Sequence, residues 1–127
     1  MSPPAGERIT LVEVFELTGS FDAFAASVQA AARRLEAEGV RGLLGVQFYS
    51  TSISSELGAI ITFANSRQVM DHIHMITGRP EFKALLGNVK PLDVRIYGRL
   101  SAEALAWLRK MNVVSKIYDG HVAGFVR

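Results

Sequence analysis

The alternation of strand-like and helix-like segments is the feature that most constrains the fold of this chain. Between the first and second strand-like segments, and again between the third and fourth, apolar side chains recur with the period of a helix. The order strand, helix, strand therefore occurs twice, which predicts the split βαβ or ferredoxin-like arrangement of an α+β fold. The segments rich in β-branched and aromatic residues are 9–17, 43–50, 56–64 and 92–100.

Polar residues and glycine mark the ends of the predicted helices. Ser20 can cap the first helix, which ends at Gly39. Asn65 and Gln68 have the spacing of a capping box and predict the start of the second helix. Pro80 favours a new first turn, so this helical stretch is interrupted before it resumes. Because crossover connections are right-handed, both helices should pack on one face of a four-stranded antiparallel sheet.

The first and third strands are apolar on both sides. Leu11 and Phe15 point to one side of the first strand. Val12 and Val14 point to the other side, where Ile60 of the third strand joins them. The helices cover one face only, and each large apolar side chain left in water would forgo about 1.5–3 kcal/mol. We therefore expect a homodimer in which two such sheets pack face to face.

The length and charge of the chain limit its organisation and its partners. Its 127 residues suit one domain at 9–100, with a flexible tail at 1–8 and a helix plus extended segment at 101–127 that we expect at the dimer interface. The absence of cysteine excludes disulfides, thiol nucleophiles and Cys-ligated metals. No cluster of basic and aromatic residues and no long apolar run occurs, so we expect a cytoplasmic protein with no nucleic-acid or membrane partner.

Motifs of several enzyme classes are absent from the sequence. No serine lies in a nucleophile elbow, no Gly-rich phosphate loop follows a strand, and no Asp/Glu spacing marks a calcium or two-metal site. His72 and His74 lie two residues apart on a helix and point about 200° away from each other, so they cannot chelate one ion. We therefore expect no metal and no hydrolase, kinase or nucleotide-dependent enzyme.

A strand, a histidine and a proline-aromatic step carry a resemblance to a known family. Residues 61–66 end the third strand, His74 lies on the next helix, and residues 80–85 form the step before the helix resumes. In this pattern the chain resembles the dimeric α/β-barrel superfamily, and within it the antibiotic biosynthesis monooxygenase-like proteins. The resemblance implies oxidation of aromatic molecules by molecular oxygen without a metal or organic cofactor. The carbanion of the substrate then reduces oxygen, and the protein supplies an apolar pocket and a base.

Two residues are candidates for that base. His74 stands at about the histidine position of the family, and imidazole titrates near neutrality. The alternative for His74 is a histidine on the helix surface. Glu13 shares a strand face with Leu11 and Phe15, which predicts a carboxyl in an apolar cavity with a raised proton affinity. The alternative for Glu13 is a strand-end or interface carboxylate paired with an arginine.

Four polar residues are candidates for substrate binding. Gln47 and Tyr49 share one face of the second strand and could orient a carbonyl or a phenol, although a half-exposed strand explains them equally well. Asn65 could donate a hydrogen bond to a substrate oxygen, although its capping role already accounts for it. Arg95 could hold an acidic substrate, or it could be a solvated or dimer-bridging arginine.

Three functions stay open on the sequence alone. The first is a cofactor-independent monooxygenase that acts on a hydrophobic aromatic or quinone-like molecule held between sheet and helices. The second is a non-catalytic dimeric module that binds an apolar ligand or partner. The third is a haem-binding or haem-degrading relative that uses His74. For the first we expect no cofactor, a second copy of the chain as partner, and a small hydrophobic molecule as ligand.

Overall fold

The order of strands and helices matches the alternation expected from the sequence. The computed structural model describes residues 7–111, 113–125 and 127. The strands are β1 (Ile9–Leu17), β2 (Leu43–Ser50), β3 (Glu56–Phe63), β4 (Val89–Tyr97) and β5 (Ser115–Tyr118). The helices are α1 (Phe21–Glu38), α2 (Ser66–Ile76), α3 (Pro80–Gly87) and α4 (Ala102–Lys110).

The sheet has the strand order β2-β3-β1-β4-β5. The first four strands are antiparallel to their neighbours, and this is the predicted ferredoxin-like order. β5 adds a fifth strand that pairs parallel with β4. The backbone N–H of Gly98, just after β4, donates to the carbonyl of Tyr118 at 2.9 Å. The sequence predicted a sheet of four strands and did not include β5. A segment of only four residues forms a strand when it pairs with an existing sheet edge, and that edge is not evident from the sequence.

The C-terminal segment packs on its own chain. Ala104 and Leu108 of α4 are buried in the same core cluster as residues of α2. β5 then covers the β4 edge of the sheet in its own chain. The stretch 122–126 belongs to the extended segment expected at the end of the chain, and its residues 122–125 lie outside any strand. Residue 126 of that prediction lies outside the described residues.

Short polar side chains start three of the helices. The side-chain oxygens of Ser20, Asn65 and Ser101 each accept a hydrogen bond from the backbone N–H three residues on, at 3.0, 3.2 and 3.2 Å. Gly39 ends α1 in the left-handed conformation, with φ of 58°. The predicted starts of α1 and α2 and the end of α1 are therefore confirmed, together with the interruption before Pro80.

Ion pairs join the end of α1 to the break between α2 and α3. The guanidinium of Arg79 donates to both carboxylate oxygens of Glu38, at 2.7 and 2.8 Å. Arg34 donates to Glu38 at 3.0 Å and also to Glu81. The hydrogen bonds from Arg79 are the largest cause of the lowered pKa of Glu38. Exposed pairs of this kind add little stability, but the bidentate geometry fixes how the two helical segments meet.

Two clusters of buried side chains lie between the sheet and the helices. One joins β1, β3 and β4 to α2 and α4, and it contains the almost fully enclosed Ile9, Phe63 and Ile96. The other joins α1 and α3 to β3 and β4, and it contains Phe24 and Phe82. Leu43 and Val46 pack against both clusters, and a cavity where the clusters meet is lined by members of both.

Gly98 occupies a position that only glycine fits. Its φ is 128°, and a Cβ atom there would lie 2.6 Å from the backbone oxygen of Arg8 and 2.7 Å from Cδ1 of Ile9. We expect Gly98→Ala to lower the free energy of unfolding by about 3 kcal/mol, the sum of backbone strain and a clash in the core. Gly39→Ala is the matched control, since its φ is also positive but no atom lies within 4 Å of the added carbon. The control should cost about 1 kcal/mol in urea denaturation, and equal losses would contradict the steric argument.

Candidate functional site

A cavity of about 190 Å³ lies between the sheet and the helices, where the two core clusters meet. Its wall consists mainly of aliphatic and aromatic side chains from β1 to β4 and from all four helices. Glu13, His72 and Thr77 interrupt this apolar wall, and Trp107 also lines it. An apolar hollow with a few polar groups is typical of a binding site for a small molecule.

Glu13 is the ionisable residue that the sequence placed in an apolar cavity, and the structure agrees with that placement. It lies on β1 between Ala59 of β3 and Val94 of β4, and it lines the cavity. Among the residues that the structure describes, none donates a hydrogen bond to its carboxyl or forms an ion pair with it. Burial raises the pKa of Glu13 to about 7. The arginine-paired alternative therefore has no support within this chain.

His72 is the second titratable residue of the cavity, and sequence reasoning did not select it. Its ring packs edge-on against Phe63 at 5.4 Å and against Phe82 at 6.5 Å between centroids. The side chain is 8% exposed, and its Nδ1 is enclosed with no hydrogen-bond partner in the described part of the chain. Burial, and then the nearby charge of Arg79, lower the pKa of His72 to about 4. The imidazole is therefore neutral at physiological pH.

His74 lies outside the cavity, contrary to the placement expected for a base. Its side chain is 68% exposed, and its Nε2 lies 3.6 Å from the equally exposed carboxylate of Glu103. The helical period explains the difference, because Val69, His72 and Ile73 share the buried face of α2 while His74 points away. Counting three and four residues from Val69 would have selected His72. A catalytic role for His74 stays a prediction that this geometry does not support.

Gln47, Tyr49 and Arg95 point away from the cavity. Side chains alternate along β2, so Val46 and Phe48 point toward the helices. Gln47 and Tyr49 share a face of the strand, as predicted, but that face is turned away from the helices. Arg95 lies on that same opposite face and donates hydrogen bonds to Asp93 at 3.2 Å and to the hydroxyl of Tyr118 at 3.3 Å. The structure therefore does not bring these three residues to the cavity as substrate-binding groups.

Asn65 also lies away from the cavity. Besides capping α2, it borders an open surface hollow together with Arg99, His121 and the carboxylates of Glu7 and Asp119. Charges of both signs line this hollow, and it has no enclosed apolar wall. The capping role accounts for Asn65, and its predicted contact with a substrate oxygen stays without structural support.

The sheet face away from the helices, which we call the open face, carries a mixture of apolar, aromatic and polar side chains. Ile60 and Tyr97 are about two-fifths exposed, at 40% and 42%. Tyr97 stacks on Tyr118 with 5.0 Å between ring centroids. The open face is formed by Thr10, Val12, Val14, Gly45, Gln47, Tyr49, Gly58, Ile60, Thr62, Asp93, Arg95, Tyr97, Lys116 and Tyr118.

Two kinds of feature are not found in the described part of the chain. Residues 7–111, 113–125 and 127 contain no group of three or more histidine, cysteine, aspartate or glutamate side chains that could hold a metal ion. Within the same residues, no helix is both long enough and apolar enough to cross a membrane.

The two titratable groups of the cavity should make the free energy of unfolding depend on pH in opposite directions. Glu13 keeps its proton up to about pH 7 when folded but loses it near 4.5 when unfolded, so its contribution falls as pH rises through that window. His72 gains a proton near 6.5 when unfolded but only near 4 when folded, so its contribution falls as pH drops from 6.5 to 4. Above pH 6.5, Glu13 is the one of these two residues whose titration still changes the free energy of unfolding.

Glu13→Gln should remove one of these two dependences. We expect the free energy of unfolding of the variant, relative to the natural chain, to increase by about 3 kcal/mol between pH 4.5 and pH 8, because the group whose pKa is raised to about 7 is removed. Urea denaturation at several pH values measures this difference. A difference that stays constant with pH would show that the carboxyl titrates normally in the folded protein.

Comparison with known proteins gives a match in fold. No family model matches the sequence, and no curated protein matches it by sequence. The crystal structure of MupZ from Pseudomonas fluorescens aligns over 98% of this chain and 94% of that chain, with a TM-score of 0.64 and 13% identity. SnoaB, a cofactor-independent oxygenase from Streptomyces nogalater, aligns over 76% and 96%, with a TM-score of 0.58 and 12% identity. Likeness at this level of identity confirms the predicted ferredoxin-like fold, which does not by itself assign an activity.

Proposed function

We propose that this protein is a cofactor-independent monooxygenase that oxidises a hydrophobic aromatic or quinone-like molecule inside the cavity. The observation that carries the proposal is the carboxyl of Glu13, which has no partner among the described residues and lies in an apolar wall where burial raises its pKa to about 7. Such a carboxyl is partly ionised near neutral pH and matches the requirements of a general base. The fold shared with SnoaB, which is described as a cofactor-independent oxygenase, supports the same function.

The reaction that fits this site converts a hydroxylated arene to a quinone, so that the hydroxyl hydrogen and the hydrogen of one ring carbon are lost and that carbon gains one oxygen atom. The Glu13 carboxylate takes the hydroxyl proton, and the resulting carbanion, whose charge is shared between the oxygen and a ring carbon, passes one electron to molecular oxygen. The two radicals join in a carbon–oxygen bond, and Glu13 returns its proton to the terminal oxygen. Loss of the single proton on that ring carbon then breaks the oxygen–oxygen bond, which leaves a carbonyl and one water. Apolar walls keep bulk water from protonating the carbanion first.

Oxygen uptake with hydroxylated arenes tests this proposal. The purified protein, a chelator and ¹⁸O₂ are combined with arenes of one, two and three rings. The proposal predicts uptake in proportion to protein, a product that carries one ¹⁸O atom, and labelled water from the other atom. Ligand binding without any uptake would overturn the proposal and leave the non-catalytic binding module as the function. A haem-dependent function has less support, because a cavity of about 190 Å³ is small for a macrocycle of four pyrrole rings.

We also propose that a second copy of the chain covers the open face. The open face carries Ile60 and Tyr97 at 40% and 42% exposure, and Tyr49 at 56%, while no helix within the described residues packs there. Pairing two such faces would bury these side chains on both subunits. Sedimentation at micromolar concentration should give a dimer for the natural chain and a monomer for Ile60→Glu. A natural chain that sediments as a monomer would contradict this part of the proposal.

A further inference from the structure

We infer that the ligand of the cavity is an uncharged hydroxylated arene of one or two rings, whose hydroxyl forms a hydrogen bond with the imidazole of His72. This inference rests on the proposed function for the place where the ligand is held, but it concerns recognition rather than oxidation. Three independent properties of the cavity carry it: its volume, the charge of its lining, and the unsatisfied hydrogen-bonding capacity of His72.

The volume limits the number of rings. The cavity measures about 190 Å³, and an apolar protein cavity of about 150 Å³ is known to hold one benzene molecule. One ring therefore fits without change, and two fused rings fit with small adjustments of the side chains around them. A third fused ring would have to displace packed residues such as Phe63 or Phe82, which are 1% and 5% exposed.

The charge of the lining excludes ionised ligands. None of the lining residues is a lysine or an arginine, so a carboxylate or sulfonate would lose its hydration with no cation to replace it. Glu13 would repel such an anion further once it is ionised. An uncharged arene avoids both costs, and its rings match the aliphatic and aromatic wall.

His72 supplies the polar contact that selects a hydroxyl. Its ring is held edge-on by Phe63 and Phe82, so its position in the wall is fixed. No residue of the described chain forms a hydrogen bond with its enclosed Nδ1, and buried polar atoms without a partner are uncommon in folded proteins. A neutral imidazole has one N–H donor and one bare nitrogen acceptor, and a hydroxyl can pair with either kind of atom. Because Nδ1 is enclosed in the free protein, a ligand hydroxyl reaches it only after the side chains around the ring move slightly apart. A ligand hydroxyl is therefore the simplest complement to this side chain.

Binding measured without oxygen tests the inference separately from the chemistry. Calorimetric titration under argon compares 1-naphthol with naphthalene, 1-naphthoate and the three-ring 9-phenanthrol. We expect 1-naphthol to bind about threefold to tenfold more tightly than naphthalene, and both 1-naphthoate and 9-phenanthrol to bind more weakly than 1-naphthol. Trp107 is the only tryptophan of the chain and lines the cavity, so a shift of the single indole N–H resonance on binding locates the ligand.

Two substitutions of His72 separate its hydrogen bond from its packing. His72→Phe keeps a ring between Phe63 and Phe82 but should remove the preference for 1-naphthol over naphthalene. His72→Gln keeps a donor and an acceptor and should retain part of that preference. The inference is overturned if 1-naphthoate or 9-phenanthrol binds as tightly as 1-naphthol, or if His72→Phe keeps the full preference. Tight binding of 1-naphthol with no oxygen uptake would instead overturn the oxygenase proposal alone.

Discussion

Replacing Glu13 by glutamine should lower the rate of oxygen uptake by about 10²- to 10⁴-fold, the usual contribution of a general base. Glutamine has nearly the same volume and keeps a polar group in the cavity, so ligand binding should change little. In the natural protein the rate should rise as pH increases through about 7, because the ionised carboxyl is the active form. The variant should lose this pH dependence together with the rate.

Glu16→Gln is the matched control for this experiment. Glu16 lies on the same strand, is exposed to solvent and does not line the cavity, so the same chemical change there should leave oxygen uptake unaltered. An oxygen electrode and the calorimetric titration described above measure rate and binding separately. A Glu13→Gln protein that binds ligand normally and oxidises it at the natural rate would show that Glu13 is not the base.

Replacing Phe63 by alanine should cause the largest loss of stability that we expect from one substitution in the core. Phe63 is 1% exposed, ends β3 opposite Ile9, and packs against the ring of His72. Removing a buried phenylalanine ring costs about 3–5 kcal/mol, because the lost contacts leave an enlarged hole. That is a large share of the about 5–15 kcal/mol that stabilises a typical domain.

Phe21→Ala provides the comparison for Phe63→Ala. Phe21 is 49% exposed at the start of α1, so the same truncation should cost about 1 kcal/mol in urea denaturation. The Phe63→Ala protein, under conditions where it stays folded, should also bind 9-phenanthrol better than the natural protein does, because its cavity is larger. Similar losses of stability in the two variants would contradict the description of Phe63 as a central core residue.

Local signals were enough to predict most of the fold. Ser20, Gly39 and Asn65 act through backbone groups only three residues away, so their positions in the sequence reveal the helix ends. The ferredoxin-like order follows from the alternation of periods and the handedness of crossovers. β5 was not resolved from the sequence because its four residues depend on the edge of β4, which is a contact between distant parts of the chain.

The candidate site was predicted only in part, because it depends on which face each side chain takes. Glu13 was placed in the cavity since its neighbours Leu11 and Phe15 revealed the buried face of β1. The sequence shows that Gln47 and Tyr49 share one face of β2. The register between β2 and β3 decides on which side of the sheet that face lies. His72 was passed over because the choice of histidine followed the family pattern rather than the buried stripe of α2.

A carbon-detected NMR titration of the Glu13 side chain is the most direct test of its proposed role as the base. The carboxyl carbon is followed from pH 4 to pH 9 in the free protein, and Glu13→Gln identifies the resonance by its disappearance. We expect a midpoint near pH 7, because the carboxyl lies in an apolar wall with no described partner to stabilise its charge. A midpoint near 4.5 would mean that this carboxyl is solvated or paired, and the proposed base would then have no physical support.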